Sequence, residues 1–405
     1  MKHFAFTCQG ESHKATNKPC QDYSYSSVEG GVAIAVVCDG HGGERYFRSD
    51  VGSRLCVEIT VEAIRQFVVN VDETLFVGKP VTRRKTIAEM EGEKLSNTDN
   101  ALRQLFSSII VKWNQEIEAY TNEHPVTDEE KSKVPERYIE AFLNGQSLEK
   151  TYGCTLMAYV QTPKYWFAFH IGDGKCVSFH NEAVLWREPI EWDERCFLNK
   201  TTSICDSDAL SEFRYTYCGD GTFPVAVYLG SDGMDDSFGP MENLVEFYMQ
   251  VSKMLAKNND EEAKKSIMET LPVLSKRGSQ DDMSLAYVYD ESRLYGIVNN
   301  ILNAQIARLR SGISVLKNRI DEETYKYKTL QYAASQKDQI ERDYAQKNIA
   351  RLKERLDAES KKLETRLDEL HPKRSSASTC GRRRIPKTHF KRQLNKRIIK
   401  HKNHR

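Results

Sequence analysis

Residues Val32-Ala33-Ile34-Ala35-Val36-Val37-Cys38-Asp39-Gly40-His41-Gly42-Gly43 run seven apolar side chains straight into Asp-Gly-His-Gly-Gly. The apolar run has the length and composition of a strand buried on both faces. A carboxylate at its end, followed by glycines that let backbone approach a ligand closely, is what a hard cation needs. The same pattern recurs. Val225-Ala226-Val227-Tyr228-Leu229-Gly230 leads into Ser231-Asp232-Gly233, with Asp235 and Asp236 beyond, and a third apolar run ends in Ile171-Gly172-Asp173-Gly174. Asp281-Asp282 precedes the run Met283 to Tyr289, and Gln21-Asp22 follows the first short run, Ala5 to Cys8. One Asp-Gly is ordinary turn chemistry. Five acidic strand ends, in a chain whose His and Cys lack zinc spacing, point to an all-oxygen site for Mg2+ or Mn2+. Carboxylates that converge without a cation repel one another.

Working outward, strand-like runs also occupy Leu156 to Gln161, Tyr165 to Ile171 and Cys176 to His180, each closed by Gly, Asp, Pro or Asn. Helical periodicity marks Ser53 to Val69, Asn100 to Thr121 and Met241 to Lys257. Two consecutive helices between a small and a larger group of strands favour an α+β class over repeating βαβ units. Residues 81–150 carry two polar stretches around helical sequence and read as a partly mobile insertion within a domain spanning 1–293.

Residues 294–371 lack proline until the boundary and alternate charges with apolar residues at helical spacing. Leu302, Leu309 and Leu316 repeat every seven, as do Ile306, Ile313 and Ile320, giving a coiled-coil-like seam. Ile349, Leu356, Leu363 and Leu370 form a second seam out of phase with the first, so the repeat slips between Ala333 and Gln346. One long helix with a stutter and an antiparallel helical hairpin both satisfy this pattern, and either seam offers a surface for self-association.

The 405 residues hold 59 basic and 58 acidic side chains, a balance that hides an asymmetry. Residues 372–405 contain 13 Lys or Arg and no Asp or Glu, leaving 46 basic against 58 acidic residues in 1–371, a net of −12. The tail reads as a polybasic disordered extension suited to nucleic acid or another anionic surface, although Phe390 alone gives it little stacking capacity. A hydrophobic fraction of 39% excludes a fibre or a wholly disordered chain. No apolar run reaches the roughly 18 residues of a membrane span, and the N-terminal residues lack the pattern of a secretory signal. Ten scattered cysteines without a CxxC pair read as reduced core residues of a cytoplasmic protein.

The order Gly10-Glu11-Ser12-His13, Pro19-Cys20-Gln21-Asp22, Asp39-Gly40-His41-Gly42-Gly43, Gly153-Cys154-Thr155, Gly172-Asp173, Ser231-Asp232-Gly233 and Ser279-Gln280-Asp281-Asp282-Met283-Ser284 resembles the metal-dependent serine/threonine protein phosphatases of type 2C, in particular their bacterial branch. The resemblance covers residues 3 to 290. It implies two stacked antiparallel sheets flanked by helices, with a binuclear Mn2+ or Mg2+ centre at one end and a weaker third position. Carried over residue by residue, the resemblance implies that Asp39 bridges two cations, that the Gly40 carbonyl, Asp232 and Asp281 complete the pair, and that Asp22 acts largely through bound water, while Asp173 and Asp236 match the third position. His41 matches the acid that protonates the leaving oxygen.

The implied reaction is hydrolysis of phosphoserine and phosphothreonine in proteins by metal-activated water, without a covalent intermediate. One departure stands out: where the family carries a phosphate-gripping Arg, this chain has Lys14-Ala15-Thr16-Asn17-Lys18, so Lys14 or Lys18 would act as point charges without a bidentate fork. That loss also fits a catalytically weak pseudophosphatase or phosphoprotein-binding scaffold. The complete set of aspartates argues for the enzyme.

Overall fold

A computed structural model describes residues 1–86, 94–144, 146–182, 184–196, 201–257, 259–332 and 335–371. The polybasic segment 372–405 lies outside the described residues. The chain divides into two units, with the break at Tyr295 and Gly296.

In the first unit two antiparallel sheets stack. One sheet runs in the order β1 (Lys2–Cys8), β11 (Met283–Tyr289), β10 (Ala226–Gly230), β7 (Lys175–Phe179), β8 (Trp186–Arg187). The other runs β2 (Tyr23–Glu29), β3 (Val32–Cys38), β5 (Leu156–Gln161), β6 (Trp166–Ile171), β9 (Arg214–Cys218), β4 (Thr82–Arg84). The period of two in β3 divides its side chains between two cores. Ala33, Ala35 and Val37 join Met157, Tyr159, Val227, Leu229 and Ala286 between the sheets. Ile34, Val36 and Cys38 face the outer layer, where α2 (Ser49–Asn70) and α3 (Asn97–Glu123) contribute Cys56, Ile64, Phe106 and Trp113. On the outside of the first sheet, Tyr228 stacks on Tyr248 of α9 (Met241–Leu255) with ring centroids 4.7 Å apart.

The α+β sandwich expected from the sequence is therefore present. Residues 81–150 differ from the expected insertion. Leu102, Leu105, Phe106, Ile109, Trp113 and Ile117 of α3 are buried in the core, so this helix is an integral layer of the unit. Beyond it, α4 (Asp128–Ser132) and α5 (Glu136–Leu143) lead through α6 (Leu148–Thr151) back to the sheet. Arg48 ties this excursion down: its guanidinium donates to both carboxylate oxygens of Glu130 at 2.7 and 3.0 Å and to the carbonyls of His124 and Pro125.

In the second unit α11 (Glu291–Thr329) and α12 (Gln336–Leu370) form an antiparallel hairpin rather than one long helix. Arg342 packs over the Tyr327 ring at 5.0 Å and Asn348 reaches Glu323, a register in which residue numbers rise on one helix as they fall on the other. The slip inferred from the two seams is the turn of the hairpin, and the seam expected to self-associate pairs within the chain. No helix among the described residues is long and apolar enough to cross a membrane.

Candidate metal centre

Strand register brings the acidic residues to one edge of the sandwich. Tyr23 pairs with Cys38, Leu156 with Ile171, Lys175 with Gly230, Gly230 with Leu285, and Cys8 with Met283. Each pairing places an acidic residue one or two positions further along, Asp22, Asp39, Asp173, Asp232 or the pair Asp281 and Asp282, just past the same end. Since Cys38 points into the helix layer, Asp39 continues the face that lies between the sheets.

The Asp39 turn is clamped from both sides. The Asp39 amide donates to Thr155 Oγ1 at 3.0 Å, and its carbonyl accepts from the Thr155 amide at 2.8 Å. The Gly40 amide donates to the Gln21 carbonyl at 3.0 Å. A Cβ on Gly40 would sit 2.4 Å from that same oxygen, which is why glycine follows the aspartate and why Asp22 can come so close to Asp39. Gly233 is equally constrained, since a Cβ there would lie 1.9 Å from the Asp282 carbonyl oxygen. That close contact lets the 281–282 turn pack on the start of α8 (Asp232–Phe238).

Three of the expected ligands form the heart of the site. The Asp39 and Asp232 side chains act on each other directly, and two buried carboxylates so placed repel unless a proton or a cation offsets their charge. Burial pushes the Asp22 and Asp39 carboxyls well above the usual carboxylate range, reinforced for Asp22 by Asp282 and Asp232 and for Asp39 by Asp22 and Asp232. Asp232 is pushed up to about 7, by burial first and by Asp173, Asp281 and Asp236 after it. Asp22 Oδ2 is buried without a hydrogen-bond partner. A buried orphan oxygen beside two more carboxylates that raise one another is the environment a divalent cation would relieve, so these residues fit a hard metal.

Asp173 is half-buried, raised by burial and by Asp236, and its charge in turn raises Asp39 and Asp232. Asp281 is half exposed and accepts from the Asp282 amide at 2.9 Å.

The adjacent Asp282 is the residue that sequence reasoning undervalued. It is buried and accepts from the Gly10 amide and the Gln21 amide, both at 2.6 Å. His13 Nδ1 approaches its Oδ2 to 2.9 Å, while His13 Nε2 lies 3.7 Å from Asp281. These contacts outweigh burial and hold the Asp282 carboxyl below its usual range, and the Asp282 contact raises His13. Asp282 thus fixes the loop that presents Asp22. The only hint in the sequence was a second Asp directly before a strand. Lys175, the first residue of β7, was also missed; it sits 4.0 Å over the Trp192 ring and 3.9 Å from Asp235, with burial lowering its pKa.

The structure does not gather the remaining expected residues among the carboxylates. His41 turns the other way: its Nε2 is 2.7 Å from Ser203 Oγ and its ring lies edge-on to Tyr46 at 4.7 Å. Burial lowers its pKa to about 4, leaving a neutral imidazole near neutrality. Lys14 and Lys18 are exposed at the rim, where Lys18 Nζ donates to the Gly42 carbonyl at 3.1 Å.

Residues 9–272 match the sequence model of protein phosphatase 2C. Among solved structures, the chain is similar to a bacterial serine phosphatase at 15% identity over 71% of this chain and 97% of that one, with a TM-score of 0.41. It is similar to PppA of Pseudomonas aeruginosa at 16% identity over 71% and 97%, with a TM-score of 0.40. It is also similar to the catalytic domain of the serine/threonine phosphatase PstP, solved with two manganese ions, at 15% identity over 71% and 96%, with a TM-score of 0.40. No curated protein matches it in sequence.

Proposed function

Because the chain belongs to the protein phosphatase 2C family, we propose that it is a metal-dependent phosphatase of phosphoserine and phosphothreonine proteins, acting in the cytoplasm. The observation that carries the reading is the convergence of the buried carboxylates Asp22, Asp39 and Asp232, with Asp22 Oδ2 left without a hydrogen-bond partner. Asp22, Asp39, the Gly40 carbonyl, Asp232 and Asp281 would hold two Mn2+ or Mg2+ ions, and Asp173 with Asp236 a weaker third. When bound, the cations activate water at neutral pH and offset phosphoryl charge during in-line displacement. Free thiols at the nine described cysteines support a reducing compartment.

The protein's own groups do the rest. Lys14 and Lys18 draw the phosphate to the rim as point charges. A serine or threonine alkoxide is a poor leaving group, which gives His41 its task of delivering a proton. To do so its ring must release Ser203, and the incoming phosphate charge raises its proton affinity. The two exposed lysines, in place of a fork that grips phosphate bidentately, favour one alternative, a folded phosphoprotein-binding scaffold without turnover.

Hydrolysis of an aryl phosphate and a phosphothreonine peptide with Mn2+, with Mg2+ and with chelator separates the two. Metal-dependent turnover should fall roughly a thousandfold in Asp39→Asn and Asp232→Asn. A folded chain inactive in every metal, yet binding the phosphopeptide, would establish the scaffold.

A further inference from the structure

Immediately behind Asp39, on the opposite face of β3, three thiols from separate elements meet. Cys38 closes β3, Cys56 lies on α2 and Cys154 precedes β5; their sulfurs all lie within 4.8 Å of one another, and none of the three has any solvent exposure. Core cysteines ordinarily act as small apolar side chains, each packed where the local volume suits it. A second feature marks this cluster as polar. The hydroxyl of Thr60, one helical turn from Cys56 and fully buried, sits beside the Cys56 thiol and has no properly aligned hydrogen-bond partner. A buried hydroxyl in that position carries a desolvation penalty, which a charged sulfur accepting from it would recover.

We propose that Cys38, Cys56 and Cys154 form a second metal site, built for one soft divalent ion of the Zn2+ type. Sulfur donors disfavour Mg2+ and Mn2+, so the site is chemically orthogonal to the aspartates across the strand. Binding removes three thiol protons to the solvent and forms three metal–sulfur bonds with no redox change. With Zn–S bonds near 2.3 Å, tetrahedral angles set the sulfurs about 3.8 Å apart, inside the 4.8 Å that bounds their separation here. The Thr60 hydroxyl supplies the polar contact that a charged thiolate centre needs in an apolar core.

The ion would brace the catalytic turn. Cys38 is peptide-bonded to Asp39, and Cys154 pairs with Gly40 in an isolated antiparallel bridge. One centre would therefore pin the end of β3, helix α2 and the 153–155 segment that clamps Asp39.

The test uses the full-length reduced chain, stripped of metal and titrated with Co2+ under saturating Mg2+, which occupies the oxygen ligands. A sulfur-to-cobalt charge-transfer band that saturates at one ion per chain and is bleached by Zn2+ is expected. Its absence from the wild-type chain, or its full persistence in Cys56→Ala and Cys154→Ser, would overturn the proposal. If those variants do not fold, X-ray absorption at the zinc edge of the wild-type chain decides. Three sulfur neighbours support the site, and a shell of oxygen and nitrogen refutes it. Neither readout depends on phosphatase turnover.

Discussion

The acidic edge of the sandwich and the helical hairpin are stabilised in opposite ways. At the edge, Asp282 joins Gly10 across 272 positions of sequence, and the Asp39 and Asp282 turns are each held by about three polar contacts, most of them to residues distant in sequence. In the hairpin, Arg342 meets Tyr327 only 15 positions away, and the helices share a repeated seam in which Leu316 and Ile320 are buried while the α12 residues Ile349, Leu356 and Leu363 are half-buried. The edge is set by a few non-local groups, so single substitutions there should be severe. The hairpin spreads its stability over many equivalent positions, so each loss should be modest and local.

Asp282→Ala puts the contrast to its hardest test. It leaves the Gly10 and Gln21 amides buried without an acceptor and removes the partner of His13, an expected loss of about 3–5 kcal/mol in chemical denaturation. A loss below about 1 kcal/mol would show that the edge is no more fragile than the hairpin. Leu316→Ala should cost about 2 kcal/mol, less than a deep core position because its seam is partly open to solvent. Limited proteolysis should show faster cleavage within 296–371 and unchanged cleavage of the first unit.

The edge also stores repulsion, which the hairpin does not. In chelator, Asp39→Asn should be more stable than wild type by about 1 kcal/mol and melt at a higher temperature, because one of the mutually raised carboxylates is replaced by a neutral group. With saturating Mg2+ the order should reverse, since the wild-type chain gains binding energy that the variant loses. Calorimetric scans of both proteins with and without metal would show this crossing.

Legibility in the sequence follows the same divide. The strands β3, β10 and β11 are largely apolar runs, so Asp39, Asp232 and Asp281 at their ends stand out in the pattern, and the family resemblance joins them to Asp22 in one ligand set. The β2 strand, Tyr23-Ser24-Tyr25-Ser26-Ser27-Val28-Glu29, passed unnoticed because most of it is only half-buried, and β9, Arg214-Tyr215-Thr216-Tyr217-Cys218, because its buried residues are polar by type. The α10 helix (Asp260–Arg277) was hidden by Pro272 in its interior. Neither the role of Asp282 nor the turn of His41 toward Ser203 leaves a local trace, since both depend on partners more than 150 positions away. The seam of the hairpin was legible as a repeat, but a slip of one residue looks the same in a stutter and in a turn, so the choice between them waited for the Tyr327–Arg342 contact.

The smallest expected effect concerns the anchor of the 124–130 segment. Glu130 is lowered to about 2, chiefly by its hydrogen bond to Arg48, from an ordinary value of 4.5. A carboxyl lowered on folding stabilises the protein fully above its unfolded value and loses that contribution as pH falls toward the folded one. The window is therefore pH 4.5 down to 2. Wild type should exceed Glu130→Gln by about 1 kcal/mol at pH 7, a figure kept small because the carboxylate is partly exposed. The gap should narrow between pH 4.5 and 3 in denaturant titrations. A gap that stays constant across that range would mean the pair acts through shape and hydrogen bonds to neutral groups, and that this face of the first unit behaves like the hairpin rather than like the charged edge.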